Sequence, residues 1–115
     1  MSESCKPVYL RLRDIISASI LDGAFRDGDL LPSVRAFAAS QRANPLTVAK
    51  AYQSFQDDGL IIVKRGVGMF VAEGASRKLR SMEKANFIEH VWPEVEAQMR
   101  RVGVTLDDLA VNQKA

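Results

Sequence analysis

The residues best suited to chemistry in this chain of 115 residues are hydrogen-bond donors grouped in three short segments. Arginine presents five donors that suit a phosphate or a guanine edge, and a serine at the start of a helix adds a hydroxyl and free backbone N–H groups. Asparagine and threonine both donate and accept, whereas proline and leucine make only apolar contacts. Groups of these kinds can bind the phosphates and base edges of nucleic acid if the fold places them side by side. The candidates are Ser33 and Arg35; Asn44, Pro45, Leu46, Thr47 and Lys50; and Lys64, Arg65 and Gly66.

Several candidates also have a purely structural explanation, which the sequence leaves open. Arg35 could pair with a nearby carboxylate, as many surface arginines do to little effect. Thr47 could merely stiffen the start of a helix. The pair Lys64 and Arg65 could form a solvated turn.

Composition leaves room for few other kinds of site. The chain has one cysteine, Cys5, and one histidine, His90, so it lacks the residues for an internal disulfide or a Cys/His zinc site. There is no nucleophile and base pair, and Gly66-Val67-Gly68 lacks the following helix that a dinucleotide-binding motif needs. We therefore expect no enzyme activity, metal or cofactor.

The net charge of +2 says little about nucleic acid by itself. The chain has no apolar run of about 18 residues, and its N-terminus does not have the pattern of a signal peptide. With a lone cysteine, these features favour a cytoplasmic protein without a membrane partner.

Three helices are predicted to position the first two groups of candidates. Apolar residues recur at helical spacing over 7–22. Ser33 has the place of an N-cap for a short second helix that ends near residue 41. Asn44 followed by proline starts a third helix that runs to about residue 57, with Tyr52 and Phe55 in its buried stripe. The opposite face is predicted to carry Thr47, Lys50 and Ser54.

A β-hairpin is predicted after the third helix. The apolar runs at 60–63 and 69–72 favour strands, joined by a tight basic turn at 64–68. Three helices followed by a hairpin is the order of a winged helix-turn-helix. In that fold the start of the third helix enters the major groove of DNA, the second helix braces on phosphates, and the hairpin wing reaches the adjacent groove or backbone.

The chain is predicted to divide into a winged helix-turn-helix at 1–74 and a helical tail at 75–115, so its fold class is mainly α with a small β-hairpin. Pro93 should interrupt or restart the tail helix and disfavour helical geometry at Trp92. The first domain is too small to cover the tail's apolar stripe along its whole length, which favours a twofold homodimer. The alternative is that the tail folds back onto its own domain. The predicted interface residues are Leu79, Met82, Phe87, Ile88, Val91, Trp92 and Val95.

These motifs, in their order and spacing, resemble the GntR family of bacterial regulators and, within it, the short YtrA-like subfamily. The similarity covers nearly the whole chain, and the final 40 or so residues look like that subfamily's short dimerisation tail. It is carried by Pro7-Val8-Tyr9, Gly28-Asp29-Leu30-Leu31-Pro32-Ser33-Val34-Arg35, Asn44-Pro45-Leu46-Thr47-Val48, Lys50-Ala51-Tyr52, Asp58-Gly59-Leu60 and Arg65-Gly66-Val67-Gly68-Met69-Phe70-Val71.

The resemblance implies a transcription regulator, expected here to be a repressor, that binds a double-stranded palindromic operator as a homodimer. It also implies that Arg35 contacts DNA and that transport genes are a plausible target. Two positions depart from the family pattern, because Leu46 replaces an asparagine and Met69 replaces a threonine in the wing. Two roles are open to Leu46, which could contact a thymine methyl group or face the preceding linker.

The alternative function is a protein-interaction module with the same fold and no DNA binding. The basic wing and the polar tip of the third helix argue against it. A small-molecule effector stays unassigned, because the 41 residues after Gly74 leave no room for an internal pocket of about 300 Å³ or more. A pocket at the dimer interface near Trp92 stays open as an alternative, although no feature of the sequence favours it.

Overall fold

A computed structural model describes residues 7–112 of the chain, and Cys5 lies outside that range. Two compact units divide between Arg80 and Ser81. The predicted fold class, a winged helix-turn-helix followed by a helical tail, is confirmed. In chain order the elements are α1 (Val8–Leu21), α2 (Val34–Gln41), α3 (Pro45–Asp57), β1 (Ile61–Lys64), β2 (Gly68–Val71), α4 (Ala75–Asn86), a π-helical turn (Phe87–Val91), α5 (Trp92–Val102) and α6 (Leu106–Asn112).

The first unit, which ends at Arg80, is organised around α3. Both α1 and α2 pack against it, and β1 follows it directly. Phe55, Leu60 and Leu79 are fully buried. Burial of each such side chain stabilises the fold by about 1.5–3 kcal/mol, so this core accounts for the shape of the helix-turn-helix. The core also contains Leu12, Ile16, Ile20, Leu31, Phe37, Ala38, Val48, Ala51, Tyr52, Ile61, Val71, Ala72 and Ala75.

The hairpin strands are shifted by one residue from the predicted ranges 60–63 and 69–72. Lys64 pairs with Gly68 across an antiparallel ladder, so the turn between the strands contains only three residues. Leu60 lies just before β1: its N–H donates to the carbonyl of Phe55 at 2.9 Å, which closes the end of α3, and its own carbonyl accepts from the N–H of Ala72 at 2.9 Å. The preceding residue, Gly59, has a φ of +75°, a left-handed conformation that glycine adopts without strain.

A third segment, residues 28–31, runs beside β2 and forms an isolated antiparallel bridge between Leu30 and Phe70. The N–H of Gly28 donates to Val71, and that of Leu31 donates to Met69, both at 2.8 Å. Gly68 lies opposite this segment with a φ of +146°, and a Cβ there would come within 2.8 Å of Leu30 Cδ1. The absence of a side chain at Gly68 therefore lets the turn end of the hairpin approach Leu30, in the chain that leads into α2.

Asp27 connects the loop after α1 to the start of α4. Its carboxylate accepts hydrogen bonds from the Ser76 hydroxyl at 2.7 Å, the Ser76 N–H at 3.1 Å and the Gly74 N–H at 2.8 Å. These donors, the Ser76 hydroxyl above all, hold the pKa of Asp27 below its ordinary value. The carboxylate of Asp27 thus caps α4, a helix that begins far later in the sequence, at Ala75.

In the second unit α5 starts at Trp92 with Pro93 in its first turn, directly after the π turn, so the predicted restart of the helix is found while the backbone stays helical. Trp92 has φ −60° and ψ −42°, so the expectation that proline displaces it from helical geometry is wrong. The preceding turn widens instead, and the Trp92 N–H donates to the carbonyl of Phe87, five residues back. A π turn of this kind accommodates the ring of Pro93, which would clash with a carbonyl in a regular α-helix.

Candidate nucleic-acid interface

The helix-turn-helix is held by contacts between α2, α3 and the segment that precedes α2. The Tyr52 hydroxyl donates to the carbonyl of Pro32 at 2.8 Å, and the Tyr52 ring stacks on Phe37 with centroids 6.0 Å apart. Burial raises the pKa of Tyr52 to about 12. Its neutral hydroxyl therefore holds α3 against the entrance to α2 at all physiological pH values.

The start of α3 is tightly ordered by its own cap. Asn44 is the N-cap, and its Oδ1 accepts the N–H of Leu46 at 2.8 Å. Its backbone carbonyl accepts from Thr47 and Val48. Pro45 occupies the first turn, where it has no N–H to leave unpaired. The Asn44 side-chain oxygen is thus used within the helix, which leaves the amide N–H₂ group for an outside acceptor.

The outward face of α3 differs from the predicted one. Thr47 and Ser54 are only half exposed and lie at the flanks, whereas Leu46, Lys50 and Gln53 are exposed. The spacing of these three residues places them on one side of the helix, opposite the buried stripe of Val48, Ala51, Tyr52 and Phe55.

Gln53 is the residue that the sequence reading missed on this face. Glutamine can form paired hydrogen bonds with adenine, and the i, i+4, i+7 spacing from Leu46 could have identified it. In the free chain its Nε2 donates to Asp57 Oδ1 at 2.9 Å. Lys50 has a partner as well, because its Nζ lies 4.4 Å from the ring centroid of Tyr9 on α1.

The start of α2 carries the other two helix-turn-helix candidates. The Ser33 Oγ accepts the N–H of Ala36 at 3.0 Å, so Ser33 is an N-cap as predicted. Its O–H proton can still be donated. Arg35 is exposed in the first turn, and none of the salt bridges found within residues 7–112 involves it. This weakens the reading of Arg35 as a residue that only pairs with a carboxylate.

The wing presents its basic residues around a glycine turn. The Lys64 Nζ lies 4.8 Å from the ring centroid of Phe70, while Arg65 is exposed beside it. Gly66 has a φ of +79°, which favours glycine, and nothing lies within 4 Å of the position that a Cβ would take. The tip also carries Val67, an exposed apolar side chain between the two glycines.

Charge along α3 favours its N-terminal end for contact with phosphates. The helix dipole places partial positive charge in the first turn, Lys50 adds a positive charge in the middle of the helix, and the far end carries Asp57 and Asp58. A cleft of about 340 Å³ lies beside this face, lined by Tyr9, Lys50, Gln53, Ser54, Asp57 and Asp58. It is open to solvent and lies in the first unit, not in the tail.

The residues predicted to form a dimer interface fall into two groups. Leu79 is fully buried in the core of the first unit, so its assignment to an interface between subunits is wrong. Helical periodicity correctly placed Leu79 on an apolar helix face, but it did not show that the first unit itself buries that part of the face. Trp92 is half buried, and the other predicted residues are exposed: Met82, Phe87, Ile88, Val91 and Val95. The second unit exposes three further apolar residues that the prediction omitted, Val102, Leu106 and Leu109.

Other kinds of site have less support in the part of the chain that is described. No three His, Cys, Asp or Glu side chains among residues 7–112 lie close enough together to hold a metal ion. None of the helices in that range has both the length and the apolar character needed to cross a membrane.

Comparison with known proteins gives the same fold and a family. Residues 8–71 match the family described as "Bacterial regulatory proteins, gntR family". The HTH-type transcriptional repressor YtrA of Bacillus subtilis is 33% identical over 92% of this chain and 81% of its own length. A GntR family transcriptional regulator from Listeria monocytogenes has the same fold, with a TM-score of 0.74, 23% identity, and coverage of 95% of this chain and 94% of its own. AraR(DBD) in complex with operator ORR3 matches 57% of this chain and 80% of its own at 26% identity, with a TM-score of 0.55.

Proposed function

Because the chain belongs to the GntR family of bacterial regulatory proteins, we propose that it is a repressor that binds a palindromic operator as a homodimer. It is a DNA-binding transcription regulator, and its family and relatives are regulators rather than enzymes. The observation that carries the proposal is the start of α3, which is exposed to solvent and capped by Asn44. The rest of the helix-turn-helix packs into a buried core and leaves this end of α3 for a partner. Its place of action would be the cytoplasm, where bacterial DNA lies.

On the DNA, the start of α3 would occupy the major groove. Asn44, Pro45, Leu46 and Thr47 form this tip, and Lys50 on the outward face would reach a phosphate or a guanine. These residues would recognise few bases by hydrogen bonding, because the tip of α3 has few hydrogen-bonding side chains. The Asn44 amide and the Thr47 hydroxyl are the polar groups available there.

The start of α2 and the wing would fix the position of the protein on the duplex. Ser33 and Arg35 would bind phosphates beside the major groove, since a helix N-terminus and a guanidinium both favour anions. Lys64, Arg65 and Gly66 would contact the adjacent minor groove or its backbone, where the glycine turn allows a close approach.

The dimer interface would be formed by the helical tail that follows position 74. Leu79 is not part of this proposed interface, because it is buried in the first unit. Support comes from the exposed apolar side chains of the second unit, because apolar surface in water favours association. A twofold dimer presents two copies of α3 to half-sites about one helical turn apart, or a multiple of that distance. The repressor role follows the name of YtrA, a relative along nearly the whole chain.

Selection of bound sequences from random DNA by the purified full chain tests this proposal. We expect a recurring palindrome with half-sites separated by about 10 base pairs or a multiple of that. Arg35→Ala should lose most of the affinity for that palindrome with an unchanged fold. Arg77→Ala, which removes an exposed arginine outside α2, α3 and the wing, is the matched control. Failure to enrich any sequence would favour the protein-interaction module instead.

A further inference from the structure

Leu46 is the most exposed large apolar side chain in the described range. It is 80% exposed, in the first turn of α3, so it packs against very little of its own chain. This excludes the interpretation that it faces the linker before α3. A leucine in water on a helix tip does nothing for the folded monomer, because its apolar surface stays hydrated.

The backbone at Leu46 is nonetheless held in place. Its N–H is bonded to Asn44 Oδ1 at 2.8 Å, and Pro45 before it has a fixed φ. The side chain therefore projects from a rigid point, opposite the buried stripe of the helix. A group presented in this way loses little conformational freedom on binding, which favours a contact made by shape and apolar surface.

The chemistry of the major groove leaves few suitable partners for this side chain. Adenine, guanine and cytosine present hydrogen-bond donors and acceptors there, which a leucine would cover without satisfying. Thymine alone among the four bases adds a methyl group, at C5. The polar neighbours on the same face, Lys50 and Gln53, already have partners in the free chain, whereas the Leu46 side chain is free to make the contact.

We propose that Leu46 reads the 5-methyl group of a thymine in each half-site of the operator. The inference rests on the proposed function, because it assumes that the start of α3 lies in the major groove. It makes Leu46 a specificity-determining residue, at the position where this chain departs from the asparagine that the GntR pattern has.

Replacement of single thymines by deoxyuridine in the selected operator tests the proposal with the full chain. Deoxyuridine keeps every hydrogen-bonding group of thymine and lacks only the methyl. We expect one symmetric position at which this swap weakens binding of the wild-type protein about three- to tenfold, the effect of one buried methyl and the leucine surface around it. With Leu46→Ala the same swap should change affinity less than about twofold, and thymine and deoxyuridine operators should then bind alike.

Ile15→Ala is the matched control, because Ile15 is an exposed apolar residue on α1, outside the helix-turn-helix. This variant should respond to the swap as the wild type does. If no thymine in the operator is sensitive, or if Leu46→Ala keeps the full sensitivity, the assignment of Leu46 is overturned while DNA binding stands. If unmodified DNA is not bound at all, the proposed function fails, and this assignment fails with it.

Discussion

The two units of this chain use the same kind of apolar stripe in opposite ways. In the first unit Phe55, on α3, has 0% of its side chain exposed. In the second unit Phe87, in the π turn, is 50% exposed, and neither that turn nor α5 contains a buried residue. Helical periodicity predicts an apolar face in both regions. It does not say whether that face is covered by the same chain.

The contrast indicates where each unit obtains its stability. The first unit buries enough side chains to fold as a domain by itself. The second unit has no comparable core among its described residues, so the proposed dimer would supply the burial that it lacks. The following experiments test this difference, from the largest expected effect to the smallest.

Removal of one phenylalanine from each unit is the most direct test. Phe55→Ala should lower the free energy of unfolding by about 3–5 kcal/mol, because it leaves a cavity in a closed core. Phe87→Ala should lower it by less than half as much at the lowest measurable protein concentration. Urea unfolding followed by circular dichroism at several concentrations gives both values. Equal losses at high dilution would mean that Phe87 is already buried within the monomer.

A charge placed on the exposed stripe of the second unit should separate the subunits of the proposed dimer. Ile88→Glu puts a carboxylate among apolar side chains, and we expect monomers in sedimentation equilibrium and at least tenfold weaker binding to the full operator. Binding to a single half-site should be unaffected. Gln98→Glu adds the same charge on α5 without removing apolar surface, and it should stay dimeric. A dimeric Ile88→Glu protein would move the interface elsewhere.

Within the first unit, removal of the Tyr52 hydroxyl should lower the free energy of unfolding by less than removal of the Phe55 side chain. Tyr52→Phe removes the hydrogen bond to Pro32, which should lower the free energy of unfolding by about 0.5–1.5 kcal/mol. Burial raises the pKa of Tyr52 from 10.0 to about 12, so the unfolded chain releases this proton first. The stability due to the hydroxyl is complete below pH 10 and is lost as the pH rises toward 12. The difference between the two proteins should therefore narrow over that interval, and a constant difference would contradict the assignment.

The smallest effect is expected at the cap of α4. Asp27→Asn weakens three hydrogen bonds, so the variant should unfold at a lower urea concentration at neutral pH. The pKa of Asp27 is lowered, so its contribution is present above 3.8 and is lost as the pH falls through the lowered value. Ser76→Ala removes the hydroxyl that is the main cause of the lowered pKa. An NMR titration of this variant should therefore show a higher pKa for Asp27. An unchanged pKa in that variant would show that the hydroxyl is not responsible.

Much of the first unit can be predicted because its signals are local. Ser33 and Asn44 cap the helices that follow them, and Gly59 ends α3, each through contacts a few residues apart. The same signals located the tip of α3. Farther along the helix the outward face was predicted at Thr47, Lys50 and Ser54, and Gln53 was missed although its spacing from Leu46 places it on that side. The strand ends differ from the prediction by one residue, and the N–H of Ala72 still donates to the carbonyl of Leu60 beyond the end of the ladder.

The errors in the tail have a common physical origin. The periodicity of Leu79 and Met82 is the same, yet one is fully buried and the other exposed, since a residue's neighbours in space are not encoded in its spacing. Helix geometry around Pro93 was misjudged because proline has two outcomes in a helix, a break or a widened turn. The surrounding sequence does not distinguish between them.

The widened turn makes the length of this segment a determinant of the tail's geometry. A bond between Trp92 and Phe87 spans one residue more than a normal turn, and each residue corresponds to about 100° of rotation about the helix axis. Met82 precedes this extra residue and Val95 follows it. The extra residue therefore sets the angle between the Met82 and Val95 side chains about the helix axis. A chain with one residue deleted between 87 and 91 would point Val95 toward a different side of the helix. Single-residue insertions and deletions at this point would therefore be more disruptive than most substitutions, even where every apolar side chain is preserved.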